Sequence, residues 1–225
     1  MAELVASRYE GVLSDARDFF TPNLVPGRDV YGEKLLMSQG REFRRWDPFR
    51  SKLAALMHKG CPAWPFKPDS TVLYLGAASG TTCSHISDIC SRGRLCCVEI
   101  SPRVFQKLLD VCSARPNMNP FLGDASRPET YRNLFGAVDV VYQDIAQRDQ
   151  LPIFLKNLPL MKQDGTAFLM VKARSVDVSA SPRDVYTETA KGLGAAGYRV
   201  LGSVELNPFE KDHAAIMVRR ASGQA

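Results

Sequence analysis

Residues 72–88, VLYLGAASGTTCSHISD, limit the fold most tightly. A short apolar, β-rich run ends at Gly76. A second glycine, Gly80, follows, and Thr81 and Thr82 then open a run that reads as helix. A strand, a glycine turn and a helix N-terminus in that order form the first part of a parallel βαβ unit. Such a turn is where a nucleotide-like ligand approaches the backbone.

The chain after residue 70 keeps that rhythm. "TVLYLG", "RLCCVEI", the weaker "MNPFLGD", "AVDVVYQD" and "TAFLMVKA" read as strands. Helical spacing separates them, as in "SPRVFQKLLDVCSA", where Val104, Leu108 and Val111 fall on one face with Phe105 and Cys112 beside it. Strands alternating with helices imply a mainly parallel sheet. The last two runs, "YRVLGSVEL" and "HAAIMVRR", have no helix between them, so an antiparallel hairpin is expected at one sheet edge.

The first 45 residues differ. "SRYEGVLSD", "DFFTPNLVPG" and "GREFRRWDP" are short, aromatic and broken by turns, which suggests a few antiparallel strands beside the main sheet. "DPFRSKLAALMHKG" predicts a helix capped by Asp47, with Pro48 at its first position and Gly60 at its end. Phe49, Leu53, Leu56 and Met57 make its apolar face, and Lys52 lies on the border of that face. "CPAWPFKPDS" is a proline-rich connector. The expected architecture is α/β, with a small N-terminal β-rich subdomain (1–55) and a Rossmann-like domain (56–225).

Bulk properties exclude less. The formal net charge is +5, which fits an anionic partner without requiring one. No apolar run spans a bilayer, and the N-terminus does not read as a signal peptide, so a cytoplasmic location is the expectation. Cys61, Cys83, Cys90, Cys96, Cys97 and Cys112 contain no C-x-x-C pair, so no metal site is expected. Most should pack as small apolar residues; paired disulfides are the minor alternative.

Three ligands compete for the glycine turn. A P-loop needs Gly-Lys-Ser/Thr, and here Thr81 follows Gly80. A dinucleotide fingerprint needs a glycine where Ala78 stands. S-adenosylmethionine, without phosphates, needs only close backbone contact. Three acidic residues at successive strand ends favour it. Glu99 can accept hydrogen bonds from both ribose hydroxyls, Asp124 can meet the adenine amino group, and Asp144 lies next to the reacting methyl.

The segments "WDPFRSKLAA", "VLYLGAASGTTCSHISDI", "GDASRPETYR", "VDVVYQDIAQRDQ", "LMVKARSVD" and "PFEKDHAAIMV" resemble fibrillarin, in that family's order and over nearly the whole chain. The sequence lacks the Gly/Arg-rich extension of eukaryotic fibrillarins, so it resembles the archaeal form. "CCVEI" and "YQDIAQ" depart slightly from the family's usual "VEF" and "DVAQ" settings. The resemblance implies a class I S-adenosylmethionine-dependent methyltransferase acting on the ribose 2′-hydroxyls of rRNA and tRNA. It further implies a box C/D guide RNA, a Nop-type scaffold protein and a kink-turn-binding, L7-like ribosomal protein as partners. Carried over by motif, the cofactor contacts are Gly76, Ala77, Thr81, Thr82, Glu99, Ile100, Asp124, Ala125, Asp144, Ile145, Ala146 and Gln147.

Methyl transfer from a sulfonium needs alignment and the handling of one proton. Asp144 and Lys172 end adjacent strands, so the carboxylate can orient the ammonium and the ammonium can steer the 2′-oxygen. By resemblance to ribose methyltransferases with a Lys-Asp-Lys-acid set, Lys52 supplies the first lysine. Asp212 or His213 completes the set, with His213 favoured by strand register. His58 and His85 read as structural. Arg41, Arg44, Arg45 and Arg50 flank Trp46; they can grip RNA by charge and stacking, or form a solvated face around a core tryptophan.

Overall fold

The structure is a computed structural model and describes residues 4–221. Five short strands, β1 (Val5–Ala6), β2 (Leu13–Ser14), β3 (Phe19–Pro22), β4 (Leu35–Ser38) and β5 (Arg41–Trp46), form an antiparallel sheet in the order β1-β2-β3-β5-β4. Helix α1 (Lys52–Lys59) follows.

Helix α1 begins later than the sequence predicts. Asp47 does not cap it; its carboxylate accepts the Phe49 N–H at 2.9 Å, and Arg50 N–H bonds back to Asp47 O at 3.1 Å. An Asp-Pro pair favours such a local turn over a helix start. The cap is Ser51, whose Oγ accepts the Ala54 N–H. Phe49 therefore leaves the apolar face and is 62% exposed, edge-on to Phe209. Gly60 ends the helix in the left-handed region, as expected.

Seven strands form the larger sheet: β6 (Thr71–Leu75), β7 (Arg94–Glu99), β8 (Met118–Leu122), β9 (Val138–Gln143), β10 (Met161–Lys172), β11 (Tyr198–Glu205) and β12 (His213–Arg220). Their order is β11-β12-β10-β9-β6-β7-β8. All pairs from β10 to β8 are parallel, and β12 runs antiparallel to both β10 and β11. Between the strands lie α2 (Thr81–Ile89), α3 (Pro102–Ser113), α4 (Arg132–Phe135), α5 (Gln150–Asn157), α6 (Ala173–Val176) and α7 (Pro182–Ala195).

The period of two along each strand splits the core. Val72 and Tyr74 of β6 pack with α1, α2 and α3 on one face; Leu73 and Leu75 pack with α5 and α7 on the other. In α3 the buried residues are Phe105, Leu108 and Cys112, so the seam is turned slightly from the expected Val104–Leu108–Val111 line. All six cysteines are buried free thiols.

A buried polar cluster joins the small sheet to α2. Arg44 is fully buried and binds Asp88 at 2.8 Å, Ser84 Oγ at 2.8 Å and Glu33. Asp88 also accepts from Arg115 at 2.6 Å, Thr21 Oγ at 2.8 Å and Leu24 N–H at 3.0 Å. Trp46 is fully buried and stacks on His85 at 4.7 Å. Arg44 and Trp46 therefore cannot grip RNA. Arg45 pairs with Asp18, while Arg41 and Arg50 remain exposed.

His85 sits between Thr21 Oγ and Tyr31 Oη, each 2.8 Å away. Thr21 donates to Asp88, so the network assigns the hydrogen to Nδ1 and leaves Nε2 accepting from Tyr31. Burial above all, then Arg44 and Arg115, hold its pKa well below the usual range. Burial also lowers His58 and His213. The unfolded chain thus binds protons at a higher pH than the folded one. The resulting stability is present above about pH 6.5 and is lost as pH falls toward the depressed folded values. Thermal melts should show Tm falling from about pH 7 to pH 5, and His85→Gln should flatten that fall. An unchanged slope in the variant would contradict this assignment.

Candidate active site

The carboxyl ends of β6, β7, β9 and β10 enclose a cleft of about 330 Å³. It lies where β6 is flanked by β7 on one side and β9 on the other, the switch point at which open α/β sheets bind ligands. Gly76, Glu99, Ile100, Ala125, Asp144, Ile145, Ala146, Gln147 and Lys172 line it.

The other candidates stand apart. Ala77 is buried, its N–H bonded to Val98 O. Thr81 opens α2, and Thr82 meets Ser51 Oγ at 3.0 Å, tying α1 to α2. Asp124 closes a turn by accepting the Ser126 N–H at 2.8 Å, a bond that lowers its pKa. None of these four lines the cleft wall, whereas Ala78, Val98 and Gly123 do. Ala78 carries a local signal: it fills the position where a dinucleotide site has glycine, at φ +49°.

Gly76 fits a cradle for close backbone approach. Its φ is +81°, and a Cβ there would strike the carbonyl of Asp144 and the side chain of Ile145. Gly76→Ala should cost about 1–3 kcal/mol of stability and weaken binding in the cleft, read by thermal melt and ligand titration. A variant with wild-type Tm and affinity would refute the cradle.

Glu99 is 8% exposed. One carboxylate oxygen accepts the Ala78 N–H at 2.9 Å and the other the Ser101 N–H at 2.8 Å. Two backbone donors thus fix an acceptor with spare lone pairs at the cleft wall, suited to a vicinal diol.

Asp144 follows β9, its N–H bonded to Leu75 O at 2.9 Å. Its Oδ2 lies 3.0 Å from Lys52 Nζ and its Oδ1 3.8 Å from Lys172 Nζ. One carboxylate therefore stands between two ammonium groups at the mouth of the cleft. Lys52 is the first residue of α1.

His213 is the strand partner of Lys172 across β10 and β12. Its Nδ1 donates to Lys211 O at 2.6 Å, leaving Nε2 buried and unpartnered. Burial, and then the charges of Lys52 and Lys172, lower its pKa. Asp212 is held by Arg174 at 3.2 Å. Of the two candidates, His213 is the one paired with Lys172 across the strands, and Asp212 is the one tied to Arg174.

Comparison with known proteins extends this geometry. The fibrillarin family model matches residues 5–222. The chain belongs to the fibrillarin family. A fibrillarin-like rRNA/tRNA 2′-O-methyltransferase of Methanothermobacter thermautotrophicus is 48% identical over 94% of this chain and 95% of its own length. A fibrillarin from Aeropyrum pernix, crystallised with natively bound S-adenosylmethionine, superposes with a TM-score of 0.86 at 43% identity, covering 97% of this chain and 100% of that one. A fibrillarin solved in complex with Nop5p gives 0.88 at 37% identity, covering 96% of this chain and 100% of its own. This fibrillarin-family chain has the class I methyltransferase fold, with its small antiparallel sheet placed ahead of it. Among the described residues no helix is long and apolar enough to cross a membrane.

Proposed function

We propose that this chain transfers a methyl group from S-adenosylmethionine to ribose 2′-hydroxyls of rRNA and tRNA, at positions chosen by a box C/D guide RNA. A Nop-type scaffold and a kink-turn-binding, L7-like protein complete the assembly. The observation that carries the reading is Asp144 between Lys52 and Lys172, at the mouth of a cleft whose opposite wall holds Glu99.

When bound, S-adenosylmethionine supplies a methyl activated by its sulfonium, so a new C–O bond forms as the C–S pair returns to sulfur. Glu99 accepts hydrogen bonds from the ribose diol of that donor. The glycine turn lets its backbone approach closely. Asp144 keeps both lysines charged and fixed. Lys172 donates to the acceptor oxygen and aligns a lone pair. His213, paired with Lys172 across the strands, completes the set at that edge with its Nε2 buried and unpartnered.

Reconstitution with a scaffold protein and a designed guide tests the proposal. Shifting the guide's pairing by one nucleotide should move the methylated ribose by one nucleotide. Methylation that stays in place, or falls on a base, would overturn it.

A further inference from the structure

A second cleft, of about 400 Å³, lies on the far side of the glycine turn, between the loop at residues 25–31 and α3. Its wall includes Ser79 of the turn and Arg50, which is two residues ahead of Lys52. The two clefts therefore flank the same turn.

The charge of this cleft is unbalanced. Arg28, Arg50, Lys107 and Arg115 line it, against Asp29 and Asp110. Asp29 is partly engaged, accepting the Gly32 N–H at 2.8 Å. Arg28, Arg50 and Lys107 are exposed, and among the described residues none of them forms an ion pair. The Arg50 guanidinium lies over the Tyr31 ring, 5.8 Å from its centroid.

Arg115 forms the buried part of the wall. It is only 2% exposed. Its Nη1 is used by Asp88 Oδ1 at 2.6 Å, Ser84 O at 3.1 Å and Ser87 Oγ at 3.3 Å. Its Nη2 is buried and has no acceptor. Leaving a buried charged donor unsatisfied costs more than a typical hydrogen bond gains. An anion seated in the cleft meets Arg28, Arg50 and Lys107, with Arg115, whose charge Asp88 already shares, in the wall. Planar guanidinium forks suit a tetrahedral oxyanion with several acceptors.

We propose that this cleft seats a phosphodiester of the RNA that carries the target ribose, and so fixes the strand beside Lys52. The proposal rests on the 2′-O-methyltransferase reading above. It assigns sequence-independent grip to Arg28, Arg50, Lys107 and Arg115, as backbone contacts do generally.

Arg115→Ala also strips Asp88 of a partner and risks the fold, so the test uses Arg28→Ala/Lys107→Ala in the reconstituted particle. The KM for target RNA should rise about tenfold with kcat unchanged, because a uniform binding contact is lost. The dependence of log(kcat/KM) on log[salt] should become shallower by about 1–2. Arg28→Lys/Lys107→Arg should restore most of the affinity. An unchanged KM and salt slope overturn the cleft alone, provided the wild-type particle methylates RNA. No wild-type transfer to RNA overturns the function and the cleft with it. Weaker binding of S-adenosylmethionine in the variant, with KM for RNA unmoved, would make this a donor carboxylate site instead. Protection of the wild type by millimolar inorganic phosphate, with KM for RNA again unmoved in the variant, would make it a free-anion site. Either result refutes the proposal.

Discussion

Asp144→Asn should reduce the single-turnover rate of methyl transfer by about 10²–10⁴-fold while the protein stays folded. The amide keeps the shape of the carboxylate but not its charge. Lys52 and Lys172 then lose their shared anion, 3.0 and 3.8 Å away in the wild type. Two ammonium groups remain at one cleft mouth and repel each other. Lys172 loses the orientation it needs to address the acceptor oxygen. Donor affinity should change far less than rate, because the substitution leaves Glu99 and the backbone of the Gly76 turn in place. A rate within about threefold of wild type would remove Asp144 from the chemistry.

Asp88→Ala should destabilise the fold by about 3–5 kcal/mol, more than Gly76→Ala does. The carboxylate is fully buried between Arg44 and Arg115 and also accepts from Thr21 and Leu24. Its loss leaves two guanidinium groups in the interior with too few acceptors. It also loosens β3 from α2, since Thr21 and Leu24 both bond to that side chain's oxygens. Tm should fall by on the order of 10 °C. Should that variant not accumulate, Asp88→Asn keeps the packing and isolates the charge. A melt of Asp88→Asn within about 2 °C of wild type would contradict the role assigned to the cluster.

The βαβ order, the C-terminal hairpin and the cradle at Gly76 were legible because they follow from local pattern: apolar period, a glycine, and an acidic residue at a strand end. Glu99 and Asp144 were legible for the same reason. The function of "REFRRW" was not. Read as one half-buried strand, it puts its arginines in water. In the fold β5 lies between β3 and β4 and is covered on both faces, Phe43 packing with Leu4 and Phe20 while Arg44 and Trp46 face α2. The neutralising partner of Arg44 stands 44 residues away, and no local pattern points to it. The start of α1 was missed because Asp47 and Ser51 are both good caps, and only the turn made by Asp47 decides between them. Arg115 carried no sequence signal at all; its role depends on where α3 ends against α2.

In the proposed function, Lys52, Lys172 and Asp144 together direct an activated methyl to a ribose oxygen. That role is tested most directly by methyl transfer to a guide-paired RNA that carries either a 2′-hydroxyl or a 2′-hydrogen at the single target nucleotide. Methylation of the first, mapped to that 2′-oxygen, and none of the second is the expected result. Equal incorporation into both would place the methyl on another atom and contradict it.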